Sequence, residues 1–98
     1  MLSSAQVIKT LQQQKPLLTA YGVSELGLFG SFADGSASEK SDIDILIDFS
    51  ANNETYQNFI NACELLENSF KGIRVDVVTK KGLSPFLRNP ILNSVRYV

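Results

Sequence analysis

The segment Asp42–Phe49, with the sequence DIDILIDF, constrains the fold more than any other part of this chain. Every second residue is apolar, which is the period of a β-strand that buries one face in a core. The intervening positions carry Asp42, Asp44, Leu46 and Asp48. Because Asp is depleted in strands, three of them in one strand indicate either a solvated face or a chemical site.

Hydrophobic periodicity predicts further helices and strands on both sides of this segment. Helices are expected near 5–21, 54–70 and from 85 onward, and strands at 24–29 and 73–79. Pro16 should kink the first helix or begin a second one, and Pro90 should interrupt the last. Asn52 or Asn53 is expected to cap the middle helix.

The order of these elements predicts the fold class. Too little helix separates the first two strands for a parallel crossover between them. We therefore expect an α+β fold, a small mixed β-sheet with helices packed mainly on one face. With 98 residues, the chain is expected to form a single domain over 1–98.

Composition excludes several kinds of chemistry. The chain has no His and one cysteine, Cys63. Histidine acid–base catalysis, Ser-His-Asp triads, an internal disulfide and Cys- or His-ligated zinc are therefore excluded. The formal net charge of −1 gives no electrostatic basis for direct nucleic-acid binding. No apolar stretch reaches membrane-spanning length and no signal peptide is evident, so no membrane association and a cytoplasmic location are expected.

The acidic residues suggest a metal site. Asp42 and Asp44 are two apart, so both side chains project from one strand face, about 7 Å apart along the backbone. Asp76 joins them if its strand is a neighbour. Carboxylates that converge to within 4 Å of one another would repel by about 4 kcal/mol per pair at an effective dielectric near 20. A cation such as Arg74, or a hard metal ion such as Mg²⁺, would offset that repulsion, whereas a solvated strand face is the plain alternative.

Gly30-Ser31, at the end of the preceding strand, suggests an anion site. Glycine lets the backbone approach a phosphate closely, and serine adds a hydroxyl donor. An ordinary turn is the alternative. Gly30-Ser31 is followed by ten residues, then Asp42-x-Asp44, then Asp76. A triphosphate site beside a carboxylate metal site is the equipment for attack at the α-phosphorus of a nucleotide.

The run LFGSFADGSASEKSDIDILIDF, with RVDVVT downstream, resembles the minimal nucleotidyltransferases of the DNA polymerase β superfamily, which share the pattern GS-x10-DxD. The resemblance covers nearly the whole chain and implies the polymerase β-like nucleotidyltransferase fold. It implies two Mg²⁺ ions held by the catalytic, metal-binding residues Asp42, Asp44 and Asp76, of which Asp76 also helps to activate the attacking hydroxyl. It further implies that Gly30 and Ser31 bind the β- and γ-phosphates of ATP.

The resemblance also implies a partner. Such proteins are commonly encoded beside a HEPN-domain toxin and act as its antitoxin, some by transferring AMP from ATP to a tyrosine of the toxin. Two alternatives remain open: an antitoxin that acts by binding alone, and a transferase that modifies a small molecule such as an aminoglycoside. The apolar residues near Val98 also leave self-association open.

One residue departs from the pattern of this family. Asp34 stands where a basic residue, often Arg, is usual, which removes a phosphate contact and adds negative charge beside the expected phosphate site. The departure weakens nucleotide binding, or another cation replaces the missing one. Lys40, Lys80 and Lys81 are the candidates for that replacement.

Overall fold

The computed structural model describes all 98 residues of the chain. In chain order the elements are α1 Ser4–Ala20, β1 Val23–Phe29, α2 Ser31–Asp34, β2 Ile43–Phe49, α3 Tyr56–Ser69, β3 Val75–Thr79, α4 Pro85–Ser94 and β4 Arg96–Tyr97. The strands form one sheet in the order β3-β2-β1-β4. Strand β1 is antiparallel to β2 and to β4, whereas β2 is parallel to β3. The predicted α+β fold with a mixed sheet is confirmed.

The hydrophobic core lies between one face of the sheet and the helices. Strand β2 supplies Ile43, Ile45 and Ile47, which are fully buried as its alternation predicts. They pack in one cluster with apolar residues of α1, α2, β1 and α3, among them Val7, Leu11, Leu18, Leu28, Phe32, Ala62 and Leu66. This packing turns the other face of β2, the face that carries its aspartates, away from the core.

The helix ends and the prolines differ in part from the prediction. Thr55 caps α3, because its Oγ1 accepts a hydrogen bond from Asn58 N at 3.1 Å. The expected caps at Asn52 or Asn53 are therefore wrong. Helix α4 continues through Pro90, so the predicted interruption is also wrong, and α1 is one helix that includes Pro16.

The helices tolerate both prolines because both are exposed, so water can hydrate the carbonyl that loses its amide partner. No helix of this chain combines the length and the apolarity that crossing a membrane requires.

Strand β4 is an element that the sequence did not predict. It pairs with β1 through Gly27 and Leu28, and Val98 N donates to Leu26 O at 2.8 Å. A Cβ at Gly27 would lie only 2.5 Å from Val95 Cγ2. The absence of a side chain at Gly27 thus allows the end of the chain to lie against β1.

We expect Ile45→Ala to lower the free energy of unfolding by about 2–5 kcal/mol, because it leaves a cavity in the centre of the core. Leu87→Ala is the matched control, since Leu87 is 56% exposed on α4 and its truncation should change stability by no more than about 0.5 kcal/mol. Urea unfolding of the two variants measures both effects. Equal losses would contradict this description of the core.

Candidate active site

Neighbouring strands bring the predicted acidic residues together. In the parallel pairing of β2 with β3, Asp44 lies directly beside Asp76, so both side chains project from the same face of the sheet. Asp42 precedes Asp44 by two residues and lies on that side as well. The structure therefore gathers Asp42, Asp44 and Asp76 at one corner of the sheet, on the face opposite to the core.

The electrostatics of this corner are unfavourable for a carboxylate. Burial raises the pKa of Asp44, and the nearby carboxylates of Asp76 and Asp42 raise it further. A raised pKa means that the ionised form is disfavoured at this position. The corner thus holds more negative charge than the protein itself neutralises.

Arg74 offsets part of this charge. Its Nε lies 3.9 Å from Oδ2 of Asp42, in agreement with the expectation that Arg74 can neutralise one of the acids. The side chain of Arg74 is 80% exposed, so the ion pair is hydrated and contributes little to stability. The contact leaves Asp44 and Asp76 without a cationic partner.

The donor set of this corner fits Mg²⁺, because all three side chains offer carboxylate oxygens, which hard cations prefer. The raised pKa of Asp44 supports the fit, since a bound cation would stabilise its ionised form. At the same time, no group of three or more ligating side chains is already arranged in the structure to hold a metal ion. The metal-binding role of Asp42, Asp44 and Asp76 therefore stays a prediction.

At Gly30 the backbone of the turn comes close to the carboxylate of Asp44. Its φ of 74° lies in the left-handed region that favours glycine. A Cβ at this position would overlap the carboxylate of Asp44, lying only 3.1 Å from Cγ and closer still to Oδ2. Only a residue without a side chain lets the strand end, the turn and the acidic corner meet at this point.

The residues after Gly30 form a single helical turn, α2. The amides of Ala33 and Asp34 donate to Gly30 O at 3.0 and 3.1 Å. Phe32 is buried in the core, and the hydroxyl of Ser4 donates to its carbonyl oxygen. These contacts fix the turn that follows Gly30.

The carboxylate of Asp34 is engaged within its own turn. Ser36 N donates to Oδ1 of Asp34 at 2.9 Å, and the hydroxyl of Ser36 donates to the same oxygen. These hydrogen bonds lower the pKa of Asp34. The acid thus stabilises the end of α2.

Two of the three lysines expected as replacement cations, Lys80 and Lys81, form ion pairs with glutamates. Lys80 Nζ lies 3.0 Å from Oε1 of Glu25, a hydrogen-bonded ion pair that raises the pKa of Lys80. Lys81 Nζ lies 4.0 Å from Glu54 Oε1, away from α2. Lys40 is exposed on the loop before β2.

A basic residue that does contact α2 is Arg96 of β4, whose Nη1 donates to Ala33 O at 3.2 Å. Sequence reasoning missed Arg96 because β4 itself was not predicted. No local pattern links a residue near the end of the chain to a turn 63 residues earlier.

Comparison with known proteins identifies the family. The family model described as "Nucleotidyltransferase domain" matches residues 5–98, almost the entire chain. Protein adenylyltransferase MntA of Thermococcus cleftensis is 39% identical over 97 residues, which cover 91% of this chain and 96% of that protein. The chain belongs to the nucleotidyltransferase family. The recognition made from the GS-x10-DxD pattern is therefore confirmed.

Solved structures show the same fold. A structure described as a candidate minimal nucleotidyltransferase superposes with a TM-score of 0.82 at 29% identity and covers 97% of this chain and 95% of that one. A chain from a toxin–antitoxin structure with AMP-PNP has a TM-score of 0.65 over 98% of this chain and 72% of that one. At 23% identity the second likeness shows the fold alone.

In this nucleotidyltransferase, we expect Gly30→Ala to be more destabilising than Gly35→Ala. Both glycines have positive φ, which costs a residue with a Cβ about 1–2 kcal/mol. Only at Gly30 does the added Cβ also meet a carboxylate, because nothing lies within 4 Å of it at Gly35. Chemical unfolding of both variants measures the difference. Equal losses of stability would show that Gly30 and Asp44 are not in close contact.

We expect Asp44→Asn to stabilise the metal-free protein at pH 7. An unfolded Asp has a pKa of about 3.9, and the folded pKa of Asp44 is raised. The cost of ionising Asp44 in the folded protein is absent below about pH 3.9. It grows as the pH rises from there to the folded pKa, and above the folded pKa it is complete. Urea unfolding in chelator at pH 7 and near pH 3.5 measures this gain.

Glu39→Gln is the control for that experiment, because it removes an equal charge from an exposed loop residue. If Asp44→Asn gives no gain over the control at pH 7, the repulsion assigned to the acidic corner is absent.

Proposed function

We propose that this nucleotidyltransferase is a Mg²⁺-dependent protein adenylyltransferase that moves AMP from ATP to a hydroxyl group. The proposed acceptor is a tyrosine of a HEPN-domain toxin, for which the chain acts as the antitoxin in the cytoplasm. The close approach of Gly30 to the carboxylate of Asp44 carries this proposal. It sets the turn expected to hold the triphosphate directly against the acids expected to hold metal.

The proposed reaction is an in-line displacement at phosphorus. The acceptor hydroxyl oxygen bonds to the α-phosphorus while the bond from that phosphorus to the oxygen bridging the β-phosphate breaks. AMP becomes linked to the acceptor, the hydroxyl proton is lost, and pyrophosphate carries away the bonding electron pair. Such a transfer depends on positioning and on neutralising charge more than on covalent help from the protein.

Each residue of the site has a role in this proposal. Gly30 lets the β- and γ-phosphates approach the backbone, and Ser31 donates its hydroxyl to them. Asp42, Asp44 and Asp76 would hold two Mg²⁺ ions, which when bound would supply the charge neutralisation that the triphosphate needs. Asp76 is exposed, so an acceptor hydroxyl can reach it, and its carboxylate helps to draw off the hydroxyl proton.

A protein acceptor is favoured by the relatives. The Thermococcus cleftensis relative is a protein adenylyltransferase, and a protein of Methanocaldococcus jannaschii that matches all of this chain at 36% identity is named as a candidate for the same activity. The fold likeness to a chain of a toxin–antitoxin structure indicates which class of partner to test first.

We expect label from α-labelled ATP to move to a co-purified HEPN-domain partner in the presence of Mg²⁺. Asp42→Asn and Asp44→Asn should each reduce transfer at least 100-fold, since metal-dependent phosphoryl transfer requires those carboxylates. Asp48→Asn is the matched control, because Asp48 lies on the same strand and face but pairs in register with Glu25, away from the acidic corner.

Transfer that survives Asp42→Asn and Asp44→Asn would overturn the assigned site. Neutralisation of the toxin by the wild-type protein with no transfer of label would instead indicate an antitoxin that acts by binding alone.

A further inference from the structure

One basic side chain contacts the acidic corner, that of Arg74. The chain has three ion pairs, and two of them join Lys80 and Lys81 to glutamates. The third joins Arg74 Nε to Oδ2 of Asp42 at 3.9 Å. The protein therefore supplies one cation to the corner, and that cation lies against a residue expected to bind metal.

The sheet places Arg74 at this position. Ile43 N donates to Arg74 O at 2.9 Å, which extends the parallel ladder of β2 and β3 beyond the pair of Ile43 with Val75. Arg74 thus lies beside Asp42. It precedes Asp76 by two residues, so its side chain leaves the backbone on the same face as that of Asp76.

The contact between Arg74 and Asp42 is loose enough to open. A distance of 3.9 Å exceeds the roughly 3 Å of a hydrogen bond. The side chain of Arg74 is 80% exposed and that of Asp42 is 40% exposed, so water hydrates both partners. Exposed ion pairs of this kind contribute little to stability. A divalent cation can therefore replace the guanidinium on Asp42 at low cost.

The guanidinium nevertheless opposes the binding of a metal ion. A cation held by the carboxylate of Asp42 would lie beside the positive charge of Arg74, and like charges in contact repel even in water. The carboxylate cannot neutralise both cations in full. The affinity of the corner for a metal ion is thus lower than its three carboxylates alone would give.

We propose that Arg74 is the counter-ion of Asp42 in the metal-free protein, and that Mg²⁺ displaces it on binding. This inference rests on the proposed function, because it takes Asp42 to be a metal ligand. Arg74 lies outside the GS-x10-DxD pattern and acts through Asp42. It is therefore a positioning residue that sets the metal affinity of the site.

Metal binding without nucleotide or turnover tests this proposal. Mn²⁺ is the probe, because it shares the preference of Mg²⁺ for carboxylate oxygens and its free form is measured by electron paramagnetic resonance. We expect Arg74→Gln to bind Mn²⁺ about 3- to 10-fold more tightly than the wild type, since a cation beside the site is removed. Arg74→Lys keeps the charge, so its affinity for Mn²⁺ should stay within about twofold of the wild-type value.

Arg88→Gln is the matched control. Arg88 is also exposed, and its Nη1 donates to Lys80 O at 3.0 Å. Lys80 follows Asp76 by four residues, which is about 13 Å along a strand. That separation exceeds the screening length of about 8 Å at physiological ionic strength, so Arg88→Gln should leave the affinity for Mn²⁺ unchanged.

Wild-type affinity for Mn²⁺ in Arg74→Gln would overturn the proposal, provided that Asp44→Asn reduces binding and so places the ion at the corner. An equal gain in Arg88→Gln would also overturn it, because the effect would then be one of net charge alone. If neither the wild type nor Arg74→Gln binds Mn²⁺ at the corner, the metal site of the proposed function fails, and this inference fails with it. Thermal unfolding shows that each variant is folded, and Mn²⁺ should raise the unfolding temperature of Arg74→Gln more than that of the wild type.

Discussion

The parallel pairing of β2 with β3 is the constraint on which the rest of the structure depends. One register buries Ile43 and Ile45 in the core and at the same time sets Asp44 beside Asp76 on the opposite face. A slip of one residue would turn the apolar side chains to solvent and the acids into the core. The hydrophobic effect therefore fixes the position of the acidic corner, although it contributes nothing to the chemistry expected there.

At the acidic corner, residues occupy positions that are unfavourable for stability, whereas the rest of the sequence suits the fold. Asp44 is partly buried among like charges, and Gly30 adopts a conformation that suits no other residue type as well. Natural sequences are locally consistent except where function requires otherwise, so such conflicts tend to mark functional sites. The proposed function would explain this conflict, because the Mg²⁺ ions that it assigns to the corner would relieve the carboxylate repulsion.

The other end of the expected site depends on long-range contacts. The hydroxyl of Ser4 donates to Phe32 O, and Arg96, 63 residues beyond Ala33, donates its Nη1 to Ala33 O, so distant parts of the chain hold the turn α2. Gly27 makes this arrangement possible, because a side chain there would meet Val95 and push β4 away. A glycine in the middle of a strand thus helps to place a cation on α2.

The sequence by itself determined the three longer strands, the helices α1 and α3, and the placement of Asp42 and Asp44 on one strand face, because a period of two or 3.6 residues is a local property. It did not determine that Thr55 caps α3 where Asn52 or Asn53 was expected, since several polar residues compete to cap one helix. Only the tertiary structure decided that Asp76 lies beside Asp44 and that Arg96 reaches Ala33. Both contacts depend on strand order and register, which packing of the whole core selects and no local pattern encodes.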